Sequence, residues 1–270
     1  MTEHYFRNVD GALHPEPSAH GPWATDMLHG RLLGGVAARA IEADLTAELG
    51  PTANRWRVAR LTVDLFRPAA MAPVTVDVVA VRSGRRVRVT DAGLHCDGHR
   101  VGRVTAVALP TGAEPPGTVW EPTPTAWPDP EAEPVAGADQ ERAGDAEVDG
   151  WLFRGVEGGF GTGQRTRVWT NDTRALVHGE PMSPLVRAAV SGDIACPLAN
   201  SSDRGLHYIN ADYTMLIARY PVGPWVGLEV DHRMAADGIA VAAATLVDRD
   251  GPFATSGGTS LVRPPLEPND

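Results

Sequence analysis

The chain contains one pattern twice: a helix followed by four strands. In the first copy, apolar residues recur at helical spacing through HGRLLGGVAARAIEADLTAELGP (29–51), and Gly50 and Pro51 end that helix. The strand-like segments that follow it are 56–68, 73–84, 85–98 and 99–110. A segment order of this kind predicts a helix laid across an antiparallel sheet.

The second copy begins with a helix that has a clear start. Ser183 is a favourable N-cap and Pro184 a favourable first helical residue, so we expect a helix to about Cys196, ended by Pro197. The strand-like segments that follow are 206–221, 224–238, 239–251 and 252–264. One constant shift in numbering takes Pro68 to Pro221, Asp97-Gly98 to Asp250-Gly251, and Leu109 to Val262. The sequence therefore predicts a tandem repeat.

The two copies are separated by a segment of different composition. Residues 110–150 are rich in Pro, Glu, Ala and Gly and show neither helical nor strand periodicity. Such a segment is typical of a linker or a surface crossover. We therefore predict an α+β fold with an N-terminal domain (1–110), a linker (111–150) and a C-terminal domain (151–270).

Charge and hydropathy exclude several classes of protein. The formal net charge is −10 and the isoelectric point about 5.3, which argues against nucleic acid as a partner. No apolar run approaches the length of a membrane span, and the N-terminus lacks a secretory signal pattern. Cys96 and Cys196 show no paired spacing. We expect a cytoplasmic protein with reduced thiols and no membrane partner.

An aspartate lies on the apolar side of the second helix. At 100° per residue, Val186 is about 20° from Asp193 around the helix axis and Ala189 about 40°. An unpaired carboxylate on such a stripe would cost several kcal/mol or take up a proton, which is common at functional sites. The alternative is that Asp193, near the helix end, simply reaches solvent.

Several motifs resemble the double hot-dog acyl-CoA thioesterases of the bacterial thioesterase II type. They are RSGRRVRV and DGHRVGRVTAVAL within 83–109, VSGDIA (190–195), NADYTMLIARYP (210–221) and DRDGPFATSGGTSLVR (248–263). The resemblance implies two hot-dog folds with joined sheets and a thioester bound between them.

The resemblance also implies a catalytic set in which an aspartate, a hydroxyl or amide residue and a glutamine orient a hydrolytic water. These positions fall on Asp193, Asn210 and Gly258. Because Gly258 has no side chain, Thr259 is the candidate for the third role, with Ser260 as its alternative if the register differs. A one-residue change also changes the strand face.

A second group of residues precedes the first helix. His29 and Gly30 would direct backbone N–H groups towards a substrate carbonyl, as helix N-termini can. We therefore predict His29, Gly30 and Gly258 as substrate-binding positions, although His29 also fits a loop histidine at a helix start. No metal-ligand spacing such as HExxH is present, so we predict no metal and no organic cofactor.

The predicted function is hydrolysis of an acyl-CoA or acyl-carrier thioester by water, with Asp193 as general base. The resemblance also implies a homo-oligomer. One alternative is a protein that binds acyl thioesters without hydrolysing them. Another is an enoyl-CoA hydratase, because SGDIACPLAN is similar to the hydratase pattern SGD-x-N-P-L-H, although Ala199 occupies the histidine position.

Overall fold

The computed structural model describes residues 4–123, 125–132, 146–148 and 150–263. The helix and four strands predicted for the first half are confirmed, and two short strands precede them. The elements of this half are β1 (His4–Val9), β2 (Ala12–Pro15), α1 (Gly30–Leu49), β3 (Trp56–Leu65), β4 (Val74–Ser83), β5 (Arg88–Cys96) and β6 (His99–Pro110).

Helix α1 is delimited by the residues on either side of it. The ring Nδ1 of His29 accepts a hydrogen bond from the backbone N–H of Arg31 at 3.4 Å, which caps the first turn. Gly50 ends the helix with a φ of 53°, in the left-handed region that favours glycine. Between these ends, the face that carries Leu32, Val36 and Ile41 is fully buried.

The second half repeats the pattern with additional short strands. Its elements are β7 (Ala146–Val148), β8 (Trp151–Glu157), β9 (Arg167–Asp172), β10 (Ala175–Val177), α2 (Pro184–Gly192), α3 (Ala195–Ala199), β11 (Ser201–Ser202), β12 (Gly205–Leu206), β13 (Tyr208–Asn210), β14 (Asp212–Ile217), β15 (Trp225–Ala236), β16 (Ile239–Asp248) and β17 (Gly251–Val262).

The second helix is shorter than predicted. Its start is correct, because Ser183 accepts from the backbone N–H of Val186 at 3.2 Å, but α2 ends at Gly192 and Asp193 is its C-cap. The expectation that Pro197 ends this helix is wrong. Pro197 lies in the first turn of the separate helix α3, where its missing N–H is not needed for an intrahelical bond.

One continuous sheet of 15 strands contains both halves. Its order is β10-β1-β2-β4-β5-β6-β3-β14-β17-β16-β15-β9-β8-β7, with β13 paired to β17. The halves join where β3 and β14 run antiparallel, with Leu61 opposite Met215. They meet again where β10 pairs in parallel with β1, so a strand of the second half extends the sheet of the first. This confirms the α+β class and the joined sheets.

Helices α1 and α2 pack closely because two glycines leave room. A Cβ on Gly34 would lie 1.8 Å from the hydroxyl of Tyr213, and a Cβ on Gly35 would lie 2.6 Å from a methyl of Val190. The Tyr213 hydroxyl in turn donates to the carbonyl of Ala189 in α2 at 2.9 Å. The start of α1 thereby lies beside the end of α2. Within the described ranges, no helix is long and apolar enough to cross a membrane.

Part of the segment between the halves packs on the outer sheet face. The Trp127 ring is 4.8 Å from the ring of Trp169 and 4.6 Å from the guanidinium of Arg167. It fills the space above Gly227, where a Cβ would lie 2.8 Å from that ring. Trp169 also donates to the Pro128 carbonyl at 2.9 Å. This part of the segment is a surface crossover fixed to strands β9 and β15.

Candidate active site

Asp193 lies at the end of α2 and is only 3% exposed, which confirms its predicted burial. The side-chain amide of Asn210, on β13, donates to Asp193 Oδ1 at 2.6 Å. A charge-assisted hydrogen bond of this kind partly compensates a buried carboxylate for its lost hydration. The alternative that Asp193 reaches solvent is therefore wrong.

The environment of Asp193 shifts its proton affinity upward. Burial raises the pKa from 3.8 to about 6, against the opposing effects of the Asn210 hydrogen bond and the positive charge of Arg31. Desolvation dominates because it penalises the charged form more than these two groups stabilise it. A carboxylate with this pKa is largely ionised at neutral pH and is a stronger base than an exposed aspartate.

The N-terminus of α1 faces this carboxylate from the other half of the chain. A Cβ on Gly30 would lie 3.9 Å from Asp193 Oδ1 and 3.4 Å from a methyl of Leu65, so the backbone at Gly30 borders the carboxylate directly. Gly30 is the first residue of α1, and the first N–H groups of a helix have no intrahelical acceptor. The N–H groups of Arg31 and Leu32 are bonded to His29, so the donor that this end offers beside Asp193 is the Gly30 N–H, together with the positive end of the helix dipole.

His29 stays neutral in this position. Burial lowers its pKa well below 6.5, and the neighbouring Arg31 and His20 side chains lower it further. Because Nδ1 accepts from the Arg31 backbone, the neutral ring carries its proton on Nε2. The ring also makes an edge contact with Trp151, at a centroid distance of 5.8 Å. His29 is therefore a helix cap and a neutral donor in the cavity wall.

A buried ion pair between the two halves lies behind the site. Arg31 of α1 pairs with Asp172 of β9, and Arg31 also donates to the Tyr5 hydroxyl at 2.9 Å. Tyr5 donates to the other oxygen of Asp172 at 2.5 Å, and the Trp151 ring lies 4.0 Å from the Arg31 guanidinium. The network fixes the first turn of α1 against the second half.

These residues line a cavity of about 790 Å³. Asp193, Asn210, His29 and Gly30 all contribute to its wall. Most of the remaining lining is apolar and includes Leu28, Leu33, Leu65, Trp151, Phe153 and Ile194. An apolar cavity with a few convergent polar groups is typical of a small-molecule site. Four of the six predicted site residues are thus brought together.

The other two predicted residues, Gly258 and Thr259, lie outside this wall. Thr259 is exposed; its hydroxyl donates to the carboxylate of Asp212, and its backbone N–H donates to the same side chain at 3.1 Å. At Gly258, a Cβ would lie 2.3 Å from the Asp212 carbonyl oxygen. A glutamine at Gly258 would therefore collide with the backbone of β14.

The alternative candidate, Ser260, faces inward but has other partners. It is 3% exposed and lies opposite Asn210 in the pairing of β13 with β17. Its hydroxyl accepts from Asn200 at 3.4 Å and bonds to the thiol of Cys196. Burial and the charge of Asp193 raise the pKa of that thiol to about 12, so Cys196 is an inert neutral group.

Arg31 is the site residue that sequence reasoning missed. It is a charged residue in the first turn of α1, on a face that is otherwise buried, and its partners Asp172 and Tyr5 are distant in the chain. A charge on the buried face was the only available indication. Across the described residues, no group of three His, Cys, Asp or Glu side chains is placed to hold a metal ion.

Comparison with protein-family models gives two adjacent matches. Residues 19–109 match the acyl-CoA thioesterase N-terminal domain, and residues 110–262 match the acyl-CoA thioesterase C-terminal domain. No curated protein sequence matches the chain.

Solved structures share the fold at low sequence identity. The tesB protein of Mycobacterium avium subspecies paratuberculosis is 16% identical with a TM-score of 0.66, covering 96% of this chain and 95% of that one. An acyl-CoA thioesterase II from Mycobacterium marinum is 18% identical with a TM-score of 0.63, covering 87% and 91%. A hot-dog protein of unknown function from Alicyclobacillus acidocaldarius is 20% identical with a TM-score of 0.64, covering 98% of each chain. With family matches spanning residues 19–262, the chain belongs to the acyl-CoA thioesterase family and has a double hot-dog fold.

Proposed function

We propose that this protein hydrolyses acyl-CoA thioesters by Asp193-assisted attack of water. The observation that carries the proposal is the meeting of three features in one apolar cavity. They are the buried Asp193 carboxylate, the Asn210 amide bonded to it, and the N-terminus of α1 at Gly30. A base, a positioning amide and an electrophilic helix end are the groups that thioester hydrolysis by water needs.

Asp193 acts as the general base. It accepts a proton from a water molecule as the water oxygen forms a bond to the thioester carbonyl carbon. Asn210 uses one amide hydrogen on Asp193 and keeps a second N–H and its carbonyl oxygen to hold that water or the substrate.

The start of α1 stabilises the negative charge that develops on the carbonyl oxygen. The Gly30 N–H and the helix dipole are fixed before the reaction, so little reorganisation is needed when the oxyanion forms. The tetrahedral intermediate then collapses, the carbon–sulfur bond breaks, and the proton held by Asp193 passes to the leaving thiolate. The products are a free acid and coenzyme A, and water is the only co-reactant.

A protein that binds acyl thioesters without cleaving them is the second candidate. It is favoured by the positions of Gly258 and Thr259, because neither places a third side chain beside Asp193. Under the hydrolytic proposal, Asp193, Asn210 and the helix end suffice. Homo-oligomerisation, a carrier-bound substrate and a cytoplasmic location stay predictions.

The decisive experiment is a thiol-release assay over saturated acyl-CoAs of graded chain length. We expect release of free coenzyme A by the parent protein and a loss of about 10²–10⁴-fold in Asp193→Asn, the range typical of a general base. Asp237→Asn is the matched control, since Asp237 is exposed in the β15–β16 turn, where its φ of 51° also suits asparagine.

Three results would separate the candidates. Hydrolysis that disappears only in Asp193→Asn supports the proposal. Retention of acyl-CoA in equilibrium dialysis without thiol release supports the binding protein. Equal hydrolysis by the parent and Asp193→Asn would show that another group is the base.

A further inference from the structure

Arg31 and Asp172 form an ion pair that is almost completely sealed from solvent. Their side chains are 4% and 3% exposed, and they belong to different halves of the chain, since Arg31 lies in the first turn of α1 and Asp172 ends β9. Tyr5 of β1 completes the network: its hydroxyl accepts from the Arg31 guanidinium at 2.9 Å and donates to Asp172 at 2.5 Å. Three separate segments of the chain therefore supply one hydrogen-bonded cluster.

Burying such a pair is costly, and stability alone does not account for it. Both charges lose their hydration, and apolar side chains of similar volume often stabilise a fold equally well or better. In the part of the chain that the structure describes, the Arg31 Nε is also buried without a hydrogen-bond partner, which adds to the cost. The network is better explained by the geometry and the charge that it imposes on its neighbours.

The neighbours of the network are the groups that the proposed function uses. Arg31 directly follows Gly30, whose backbone borders the Asp193 carboxylate. The Trp151 ring lies 4.0 Å from the Arg31 guanidinium and makes an edge contact with His29, the N-cap of the same helix. The second half of the chain thus holds the residue before Gly30 and the residue after it.

Arg31 also acts on Asp193 through its charge. A nearby cation favours the ionised carboxylate, and Arg31 has this effect on Asp193. Cys196 of α3 and Tyr213 of β14 also interact with this carboxylate, but burial raises the pKa of Cys196 to about 12 and the pKa of Tyr213 well above 10, so both stay neutral. The ring of His29, at the start of α1, is neutral as well.

We propose that Arg31 is a positioning residue for hydrolysis, which holds the Gly30 N–H against Asp193 and keeps a positive charge near that carboxylate. Asp172 is the counterion of Arg31 and therefore sets how much of this charge Asp193 experiences. The inference rests on the proposed function and extends it, because Arg31, Asp172 and Tyr5 act through Gly30 and Asp193.

The test removes the two charges of the pair separately. Arg31→Met removes the cation and leaves Asp172, so Asp193 should hold its proton to higher pH than in the parent. Asp172→Asn leaves the cation without its counterion, so Asp193 should lose its proton at lower pH. We expect shifts of about one pH unit in opposite directions. A loss of packing alone gives no reason for shifts of opposite sign.

The titration of Asp193 can be followed in two ways. The first is the carboxyl carbon-13 signal of labelled aspartate in NMR spectra, assigned by its absence in Asp193→Asn, which requires no catalysis. The second is the acid limb of kcat/KM in the thiol-release assay. The midpoint of the NMR titration and the midpoint of the limb should move together in each variant.

Two further variants leave no buried charge without a partner. Arg31→Lys keeps the charge but cannot contact both Asp172 and Tyr5 as the guanidinium does, so kcat should fall about tenfold while KM stays within about twofold. Its Asp193 titration should stay close to that of the parent. Arg31→Met/Asp172→Asn removes both charges, so its Asp193 titration should lie between those of the single variants and its kcat should fall at least about tenfold.

Arg39 and Glu180 supply the matched control. Arg39 lies about two turns further along α1 and pairs with Glu180 of the second half through two hydrogen bonds of 2.6 Å. Neither of these described residues lines the cavity. Arg39→Met and Glu180→Gln remove the same charges from a pair of the same kind. Both should leave the Asp193 titration unmoved and kcat within about twofold of the parent.

Shifts of the same sign in Arg31→Met and Asp172→Asn would overturn the inference, and so would equal shifts in the control variants. Should the single variants fail to fold, Arg31→Lys and the double variant decide, and a parent-like kcat in both would overturn it. Opposite shifts of the Asp193 signal in a protein that does not hydrolyse acyl-CoA would uphold the effect of Arg31 on Asp193 while refuting the proposed function.

Discussion

The side-chain amide of Asn210 donates to Asp193 Oδ1 across 2.6 Å, joining strand β13 to the end of helix α2. Among the described residues, Asn210 is the one side chain that forms a hydrogen bond with the Asp193 carboxylate. It leaves the other carboxylate oxygen available inside an apolar cavity. The bond lowers a pKa that burial raises, so it influences both how strong a base Asp193 is and how much its ionisation costs the fold.

Removing the Asp193 charge should stabilise the protein while it abolishes catalysis. The pKa of Asp193 in the folded protein, about 6, exceeds the ordinary value of 3.8. The folded state is therefore more stable when Asp193 is protonated than when it is ionised. Stability is then lost as the pH rises from about 4 to about 6, by roughly 3 kcal/mol for a shift of this size. We expect Asp193→Asn to unfold at higher urea concentration than the parent at pH 8 and at a similar concentration at pH 4. Equal midpoints at pH 8 would contradict a desolvated carboxylate.

The pH dependence of hydrolysis should report the same carboxylate. Because the base must be ionised, kcat/KM should rise with increasing pH as Asp193 loses its proton. The midpoint of the rise should be near pH 6, with a plateau above it. In Asn210→Ala the donor that lowers the Asp193 pKa is gone, so the acid limb should move to higher pH. Steady-state rates across pH 4.5–9 measure the acid limb of the parent and of Asn210→Ala. An unmoved limb in Asn210→Ala would show that this hydrogen bond does not set the titration.

Two glycines of helix α1 should respond differently to the same substitution. In Gly30→Ala the new methyl makes ordinary contacts but stands 3.9 Å from Asp193 Oδ1, where the substrate carbonyl and water must fit. We expect kcat/KM to fall at least about tenfold with little change in melting temperature. In Gly34→Ala the methyl would overlap the Tyr213 hydroxyl at 1.8 Å, so the loss should be in stability, about 1–3 kcal/mol. Calorimetry and the thiol-release assay together distinguish the two effects.

Restoring the family glutamine should not improve the site. In Gly258→Gln the Cβ would approach the Asp212 carbonyl oxygen to 2.3 Å, and backbone atoms cannot yield as a flexible side chain can. We expect a lower melting temperature and no gain in rate. Thr259→Ala should keep the parent activity, since the Thr259 hydroxyl is exposed and bound to Asp212. Loss of hydrolysis in Thr259→Ala with an intact fold would place Thr259 in the catalytic set after all.

The sequence alone determined the repeat and placed Asp193 on the apolar side of its helix. Helical spacing, strand-like segments and turn residues are local properties, so they predicted helix α1, strands β3 to β6 and their copies in the second half. The wheel around the second helix correctly put Asp193 on its buried side. That helix nevertheless ends earlier than expected, because Pro197 is accommodated in the first turn of α3 instead of terminating α2.

Only the tertiary structure decided which residues meet Asp193. The start of α1 reaches it from the other half because Gly34 and Gly35 let the helices approach, a contact that no local pattern encodes. Strands β13 and β14 both pair with β17. Between the pair Asn210–Ser260 and the pair Thr214–Gly257, the chain through β13 and β14 advances four residues while β17 advances three. Side chains alternate faces along a strand, so an extra residue changes the face on which each later side chain lies. Those faces are therefore known only from the observed pairing. That register leaves Thr259 exposed outside, buries Ser260, and leaves no room for a side chain at Gly258.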